Sequence, residues 1–176
     1  MSEPRSIVQL DDNTIGHIAA GEVVERPAQV VKELIENSLD AEASQITITI
    51  ERGGFDLIKI EDNGSGISES DLPLSLDRHA TSKLRTAEDL QRINTLGFRG
   101  EVLASIGIVS ELLVASRPKG KDGRCINMKF GEKLGIEPYG MAEGTIIEVH
   151  SLFQNTPARL SFQRRPATEN AKIIDV

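Results

Sequence analysis

The 176 residues carry 39% apolar and 27% charged side chains, enough for one large domain with a real core, and no apolar run approaches the ~20 residues of a membrane span. A formal charge of −7 and an isoelectric point of about 5.1 exclude a domain-wide basic footprint for nucleic acid. The single cysteine, Cys125, excludes an internal disulfide, fits a reducing compartment and reads as an inert strand residue.

The opening MSEPRSIVQLDD has no hydrophobic signal core, so nothing points to secretion. A first helix is expected from Asp12 or Asn13, carrying Ile15, Ile18 and Ala19 and breaking at Gly21. Pro27 opens a second helix, where its missing N–H costs nothing, and PAQVVKELIENSLDA sets Val30, Val31, Leu34, Ile35 and Leu39 along one broad apolar face. QITITIE alternates strictly, a half-buried strand with Ile46, Ile48 and Ile50 on one side. Arg52-Gly53-Gly54 turns it back into FDLIKIE as a hairpin. Ser68 and Asp71 resemble a capping pair for a helix reaching about Arg78, and Thr86 caps a short AEDLQRI helix. EVLASIGIV continues as helix; ELLVASR, RCINMKF and GTIIEVH read as three strands separated by Gly, Lys and Pro turns. The tail reads as two helical pieces, the second cut off in mid-pattern, which suggests a fragment of a longer chain. Helices before and between meandering strands give an α+β sandwich: a mixed, mostly antiparallel sheet with helices on one face, in a single domain over residues 1–176.

Four polar stretches can carry chemistry. Glu33 and Asn37 stand at i and i+4 on one helix face, beside the apolar side. A carboxylate against an apolar wall is a better general base, and an amide oxygen one turn on can ligate Mg²⁺. Alone, this pattern is the ordinary edge of a solvated helix. Asp62-Asn63-Gly64-Ser65-Gly66 ends a strand; its glycines let backbone approach a flat ligand or take positive φ, and its aspartate can accept from an exocyclic amine. Alone, it is equally a tight turn. Gly97, Phe98, Arg99 and Gly100 precede a helix whose free N–H groups attract phosphate, and Thr81, Ser82 and Lys83 add hydroxyls and a cation. Gly144-Thr145, at a strand start, is the weakest signal. Two basic groups, one of Arg159, Arg164 and Arg165 and one of Arg117, Lys119, Lys121 and Arg124, are most simply a solvated rim. His17, His79 and His150 have no partners at zinc spacing and read as packing or hydrogen-bonding residues.

Taken in this order, the stretches resemble the GHKL ATPases, the superfamily with the Bergerat nucleotide-binding fold. IAAGEVVERPAQVVKELIENSLDA, DNGSGI, RHATSK, GFRGE and LFQNTPAR are similar, more closely, to the N-terminal ATPase domain of the MutL family of DNA mismatch-repair proteins. The resemblance spans about residues 7–162. It implies ATP and Mg²⁺ as cofactors and a slow Mg-dependent hydrolysis of ATP to ADP and phosphate. Glu33 matches the general base, Asn37 the magnesium ligand and Asp62 the aspartate on the adenine amino group. Gly64 and Gly66 match the adenine pocket, Thr81, Ser82 and Lys83 the lid, Gly97, Phe98, Arg99 and Gly100 its phosphate-binding end, and Thr145 the threonine near adenine. It further implies a switch: nucleotide orders the lid, and subunits associate as a homodimer or heterodimer to coordinate mismatch-recognition and strand-processing proteins on DNA. Such a protein works in the cytoplasm at the nucleoid or, in a eukaryote, in the nucleus, with no membrane partner. Val102, where the family has alanine, and FQRRPATEN depart from its pattern. In the family a following (transducer) domain supplies a lysine and a C-terminal domain dimerises; neither fits in 176 residues, so weak or negligible turnover and a monomer are expected of this chain alone. A sensor histidine kinase domain and an ATP-independent DNA-binding module are the competing readings.

Overall fold

The computed structural model describes residues 8–78, 80, 101–162 and 165–176, without the side chains of residues 12 and 13. Asp11 caps the first helix, α1 (Asp12–Val23), through its Oδ1, which accepts from the Thr14 N–H at 2.7 Å. The helix does not break at Gly21; it runs on to Val23 and stops only as the chain extends toward Pro27. Its Ile15 and Ile18 face outward, and Ala20 and Val24 are buried instead.

Helix α2 (Pro27–Asp40) starts at the proline as expected and buries Val30, Val31, Leu34 and Ser38. Leu39 is exposed and Ile35 half-buried, so the buried face is rotated toward Val31, Leu34 and Ser38, spaced at i, i+3 and i+7.

Six strands form one sheet in the order β1-β2-β6-β3-β4-β5: β1 (Ile46–Glu51), β2 (Leu57–Asp62), β3 (Glu111–Arg117), β4 (Arg124–Lys129), β5 (Glu132–Pro138) and β6 (Gly144–His150). Every recorded pairing is antiparallel, so the sheet described is not mixed. Strand β5 was hidden in the sequence: Gly131, Gly135 and Pro138 read as turns, and all seven of its residues are exposed. Its alternation is limited to Leu134 and Ile136, too short a stretch beside two glycines and a proline to mark a strand, while Lys133 and Pro138 deter further strand addition. At the other edge, Ile46 and Ile50 of β1 are half-buried and Ile48 is exposed.

Register builds the core in layers. Ile58, Val149, Leu112 and Met128 lie side by side across β2, β6, β3 and β4, followed by Ile60, Ile147, Val114 and Ile126. All eight are buried, each contributing ~1.5–3 kcal/mol of apolar burial. They join α2, with Ala20, Leu72 and Ile106, in a single apolar cluster. The opposite parity carries charge pairs beside small or apolar residues such as Ala115 and Ile146: Lys59 pairs with Glu61 and Glu148, and Lys129 with Glu111. Cys125 is buried, and burial followed by the nearby Glu137 charge pushes its thiol up, as suits a packing residue.

The remaining helices are α3 (Leu72–Ser75), α4 (Val102–Ile108), α5 (Pro157–Ser161) and α6 (Pro166–Ile174). Ser68 and Asp71 do bond one another, at 2.8 Å and 3.2 Å, but the helix they introduce ends at Ser75, short of Arg78. The Thr86 helix lies outside the described residues.

Candidate functional site

The inward parity that supplies the core turns polar one row further on. Asp62 at the end of β2 pairs with Thr145 of β6, and Thr145 pairs with Ser116 of β3. Residues directly opposite share a face, so this row edges the apolar core on its helix-covered side. Ser116 and Thr145 are buried, their hydroxyl oxygens 3.0 Å apart.

Helix α2 supplies the other half. Buried Ser38 sets its Oγ 2.8 Å from Asp62 Oδ2 and 3.2 Å from the Leu34 carbonyl. Gly64 donates its N–H to Asp62 Oδ1 at 2.9 Å. Each carboxylate oxygen therefore holds one donor and keeps lone pairs for a second. Asn37 precedes Ser38 and Glu33 lies one turn earlier; both are half-buried.

The loop after β2 is fitted to this site. A Cβ on Gly64 would stand 2.7 Å from the Ala41 carbonyl and 3.0 Å from Asp62 Oδ1. Gly66 has φ +76°, and a Cβ there would meet the backbone of Pro118 at 2.9 Å. Asn63 is spent on structure: its Oδ1 accepts from the N–H groups of Ser44 and Gln45, both at 2.9 Å. Ile67 donates its N–H to Ser116 Oγ at 2.7 Å, fastening the loop to β3.

The structure brings Asp62, Gly64, Gly66 and Thr145 together at one end of the β2–β6 pair, and Ser38 ties α2, the helix that carries Glu33 and Asn37, to Asp62. Thr81, Ser82, Lys83, Gly97, Phe98, Arg99, Gly100 and His79 lie outside the described residues. Sequence reasoning missed Ser38 and Ser116. The signal was there for Ser116, which occupies an inward strand position after the apolar Leu112 and Val114.

Of the basic clusters, Arg165, Lys119 and Lys121 are exposed as a rim would be, but Arg159 and Arg117 are not. Arg159 donates from Nη2 to the carbonyls of Gly21, at 2.9 Å, and Val24, and its guanidinium lies 4.6 Å from the Phe153 ring centroid. It supplies donors to carbonyls that the end of α1 leaves open. Desolvation by burial lowers its pKa, opposed by the Glu25 charge. Two stretches far apart in sequence, IAAGEVV and LFQNTPAR, are thus clasped together beside the entry to α2. Arg159→Leu is expected to lower stability by roughly 3 kcal/mol, the cost of leaving two partly buried carbonyls without donors; a thermal melt that matched the parent would contradict this. In the other cluster, Arg117 bonds the carbonyls of Lys121 and Met141, while Arg124 pairs with Glu69. His150 Nε2 lies 3.1 Å from Glu148, and no cluster of three metal-ligating side chains occurs among the described residues.

Comparison with known proteins bears directly on this arrangement. Residues 25–134 match the family described as histidine kinase-, DNA gyrase B- and HSP90-like ATPase. A DNA mismatch repair protein MutL from Endomicrobium trichonymphae is 51% identical over 94% of this chain. The chain spans only 28% of that relative's length. A solved Aquifex aeolicus MutL ATPase domain complexed with ADP superposes with a TM-score of 0.68 at 34% identity, over 87% of this chain and 53% of that one. The N-terminal domain of a DNA repair protein superposes at 0.75 with 29% identity, over 91% of this chain and 46% of the other. The chain belongs to the histidine kinase-, DNA gyrase B- and HSP90-like ATPase family, and within it is similar to the ATPase domains of MutL.

Proposed function

We propose that this chain is the nucleotide-binding part of a mismatch-repair switch, holding ATP with Mg²⁺ against the Asp62–Thr145–Ser116 row. The observation that carries the reading is a carboxylate tethered from two sides, by Ser38 and Gly64, at the polar edge of an apolar layer in an ATPase-family chain. Asp62 accepts from the adenine amino group, with Thr145 beside it, and Gly64 and Gly66 keep that wall low. Asn37, next to the base-side helix residue Ser38, turns its amide toward the phosphates.

The residues fit Mg²⁺ as a phosphate-borne ion. The half-buried Asn37 amide, with no cluster of three metal-ligating side chains among the described residues, suits a hard cation that keeps waters and phosphate oxygens as its other ligands. When bound, Mg²⁺ neutralises charge on the phosphates. Glu33 accepts the proton of the water that attacks the γ-phosphate, and the remaining contribution is positioning. In the longer protein, nucleotide occupancy orders the lid and drives subunit association, through which repair factors on DNA are coordinated.

Calorimetric titration with a non-hydrolysable ATP analogue, with and without Mg²⁺, tests this. Saturable, Mg²⁺-dependent binding is expected. Glu33→Ala should bind within about threefold of the parent, while in the longer protein the same change should lower phosphate release by at least about 100-fold. A longer Glu33→Ala protein that still releases phosphate would remove the general base from this residue, and absence of binding by the parent would remove the site.

A further inference from the structure

Ser116 is 1% exposed and makes three polar contacts with one hydroxyl. Its Oγ receives the Ile67 N–H at 2.7 Å and lies 3.0 Å from both the Gly144 carbonyl and Thr145 Oγ1. A hydroxyl has one proton and two lone pairs. The carbonyl can only accept, so the Ser116 proton belongs to Gly144. Thr145 must then donate its own proton to Ser116. That assignment satisfies all three contacts, whereas the reverse leaves the carbonyl contact empty. Thr145 Oγ1 is left with lone pairs alone, beside the Asp62 carboxylate on the same face.

We propose that Ser116 is a positioning residue which, by fixing the direction of the Thr145 hydroxyl, makes the base pocket select a 6-amino purine over a 6-keto purine. The proposal rests on the reading of this site as an ATP site. Two neighbouring acceptors, Asp62 and Thr145, match an amino group with two N–H donors. A keto oxygen in that place meets lone pairs from both. Were Thr145 free to turn its hydroxyl, it could donate to the keto oxygen and relieve half of that mismatch. Gly144 is part of the device: at φ +127°, with Asp62 O only 1.9 Å from any added Cβ, it brings the carbonyl that fixes the Ser116 proton to the end of β2.

The test compares affinities for ATP and inosine triphosphate in the parent chain and in Ser116→Ala, Ser116→Cys, Thr145→Val and Ser116→Ala/Thr145→Val. The parent should prefer ATP. Ser116→Ala should lower the ATP-to-inosine-triphosphate ratio about tenfold, one hydrogen bond's worth, with Ser116→Cys moving in the same direction if the alanine variant folds poorly. The double variant should show the ratio of Thr145→Val alone, because Ser116 acts only through Thr145. Equal weakening of both nucleotides in Ser116→Ala, or an additive double variant, overturns the proposal and makes Ser116 structural. A parent that binds both nucleotides equally overturns it while leaving the ATP site standing. A parent that binds neither overturns both.

Discussion

Asp62→Asn is expected to weaken binding of a non-hydrolysable ATP analogue by at least about 100-fold while moving the melting temperature by no more than a few degrees. Asparagine matches aspartate in shape, and its two ends can serve the two tethers separately. Its oxygen accepts the Gly64 N–H that Asp62 Oδ1 accepts at 2.9 Å. Its amide nitrogen then faces Ser38 Oγ, which can turn its proton to the Leu34 carbonyl 3.2 Å away and accept instead. The fold keeps its hydrogen bonds. The pocket does not: the negative charge disappears, and one acceptor becomes a donor opposed to the amino group of the base. A hydrogen bond to a charged group is worth ~1.5–3 kcal/mol, and an unpaired donor costs about as much again. Asp62→Ala is the blunter variant, since it strands the Gly64 N–H and lowers stability with affinity. Titration and thermal melting of Asp62→Asn, run side by side, decide the matter. Affinity within threefold of the parent would show that Asp62 does not face the ligand.

The site was legible where pattern and chemistry coincide. Asp62 and Thr145 are polar ends of strands whose inward positions are otherwise Ile58, Ile60, Ile147 and Val149. Ser116 ends β3 in the same way, after Leu112 and Val114. Read down each strand, these polar residues look like turn chemistry. Only the register, which aligns Asp62 with Thr145 and Thr145 with Ser116, makes them one row. Ser38 was harder to see, because the broad apolar face of α2 could be phased to include Leu39, and only the packing against β2 settles that phase. Strand β5 stayed hidden for the opposite reason, its alternation being limited to Leu134 and Ile136 beside two glycines and a proline. Long-range clasps such as Arg159 on Gly21 and Val24 leave no local trace at all, since neither partner's pattern needs the other.

The buried ion pair at the start of α2 was equally invisible, and its disruption carries the largest expected loss of stability. Arg26 sits in extended backbone just before Pro27, and its guanidinium forks onto Glu169 of α6, with Nη2 2.5 Å from Oε1 and Nε 3.2 Å from Oε2. Glu169 is fully buried; Arg26 retains 27% exposure. The bond to Glu169 raises the Arg26 pKa, against the cost of desolvation. The Arg52–Gly54 turn holds α6 from the other side, so closely that a Cβ on Gly53 would stand 2.6 Å from the Pro166 carbonyl. Removing the cation leaves a buried carboxylate without a counter-charge, which costs ~3–5 kcal/mol. Arg26→Met is therefore expected to melt roughly 10 °C below the parent. Arg26→Met/Glu169→Leu should recover most of that loss, because an apolar pair of similar volume carries no desolvation penalty. Because α2 carries Glu33 and Asn37 within three turns of this pair, nucleotide affinity should fall in the single variant and return with stability in the double. A single variant that melts with the parent would mean that Glu169 finds another partner and that α6 is not what seats α2. A double variant that regains stability but not affinity would instead assign the pair a direct part in aligning the site.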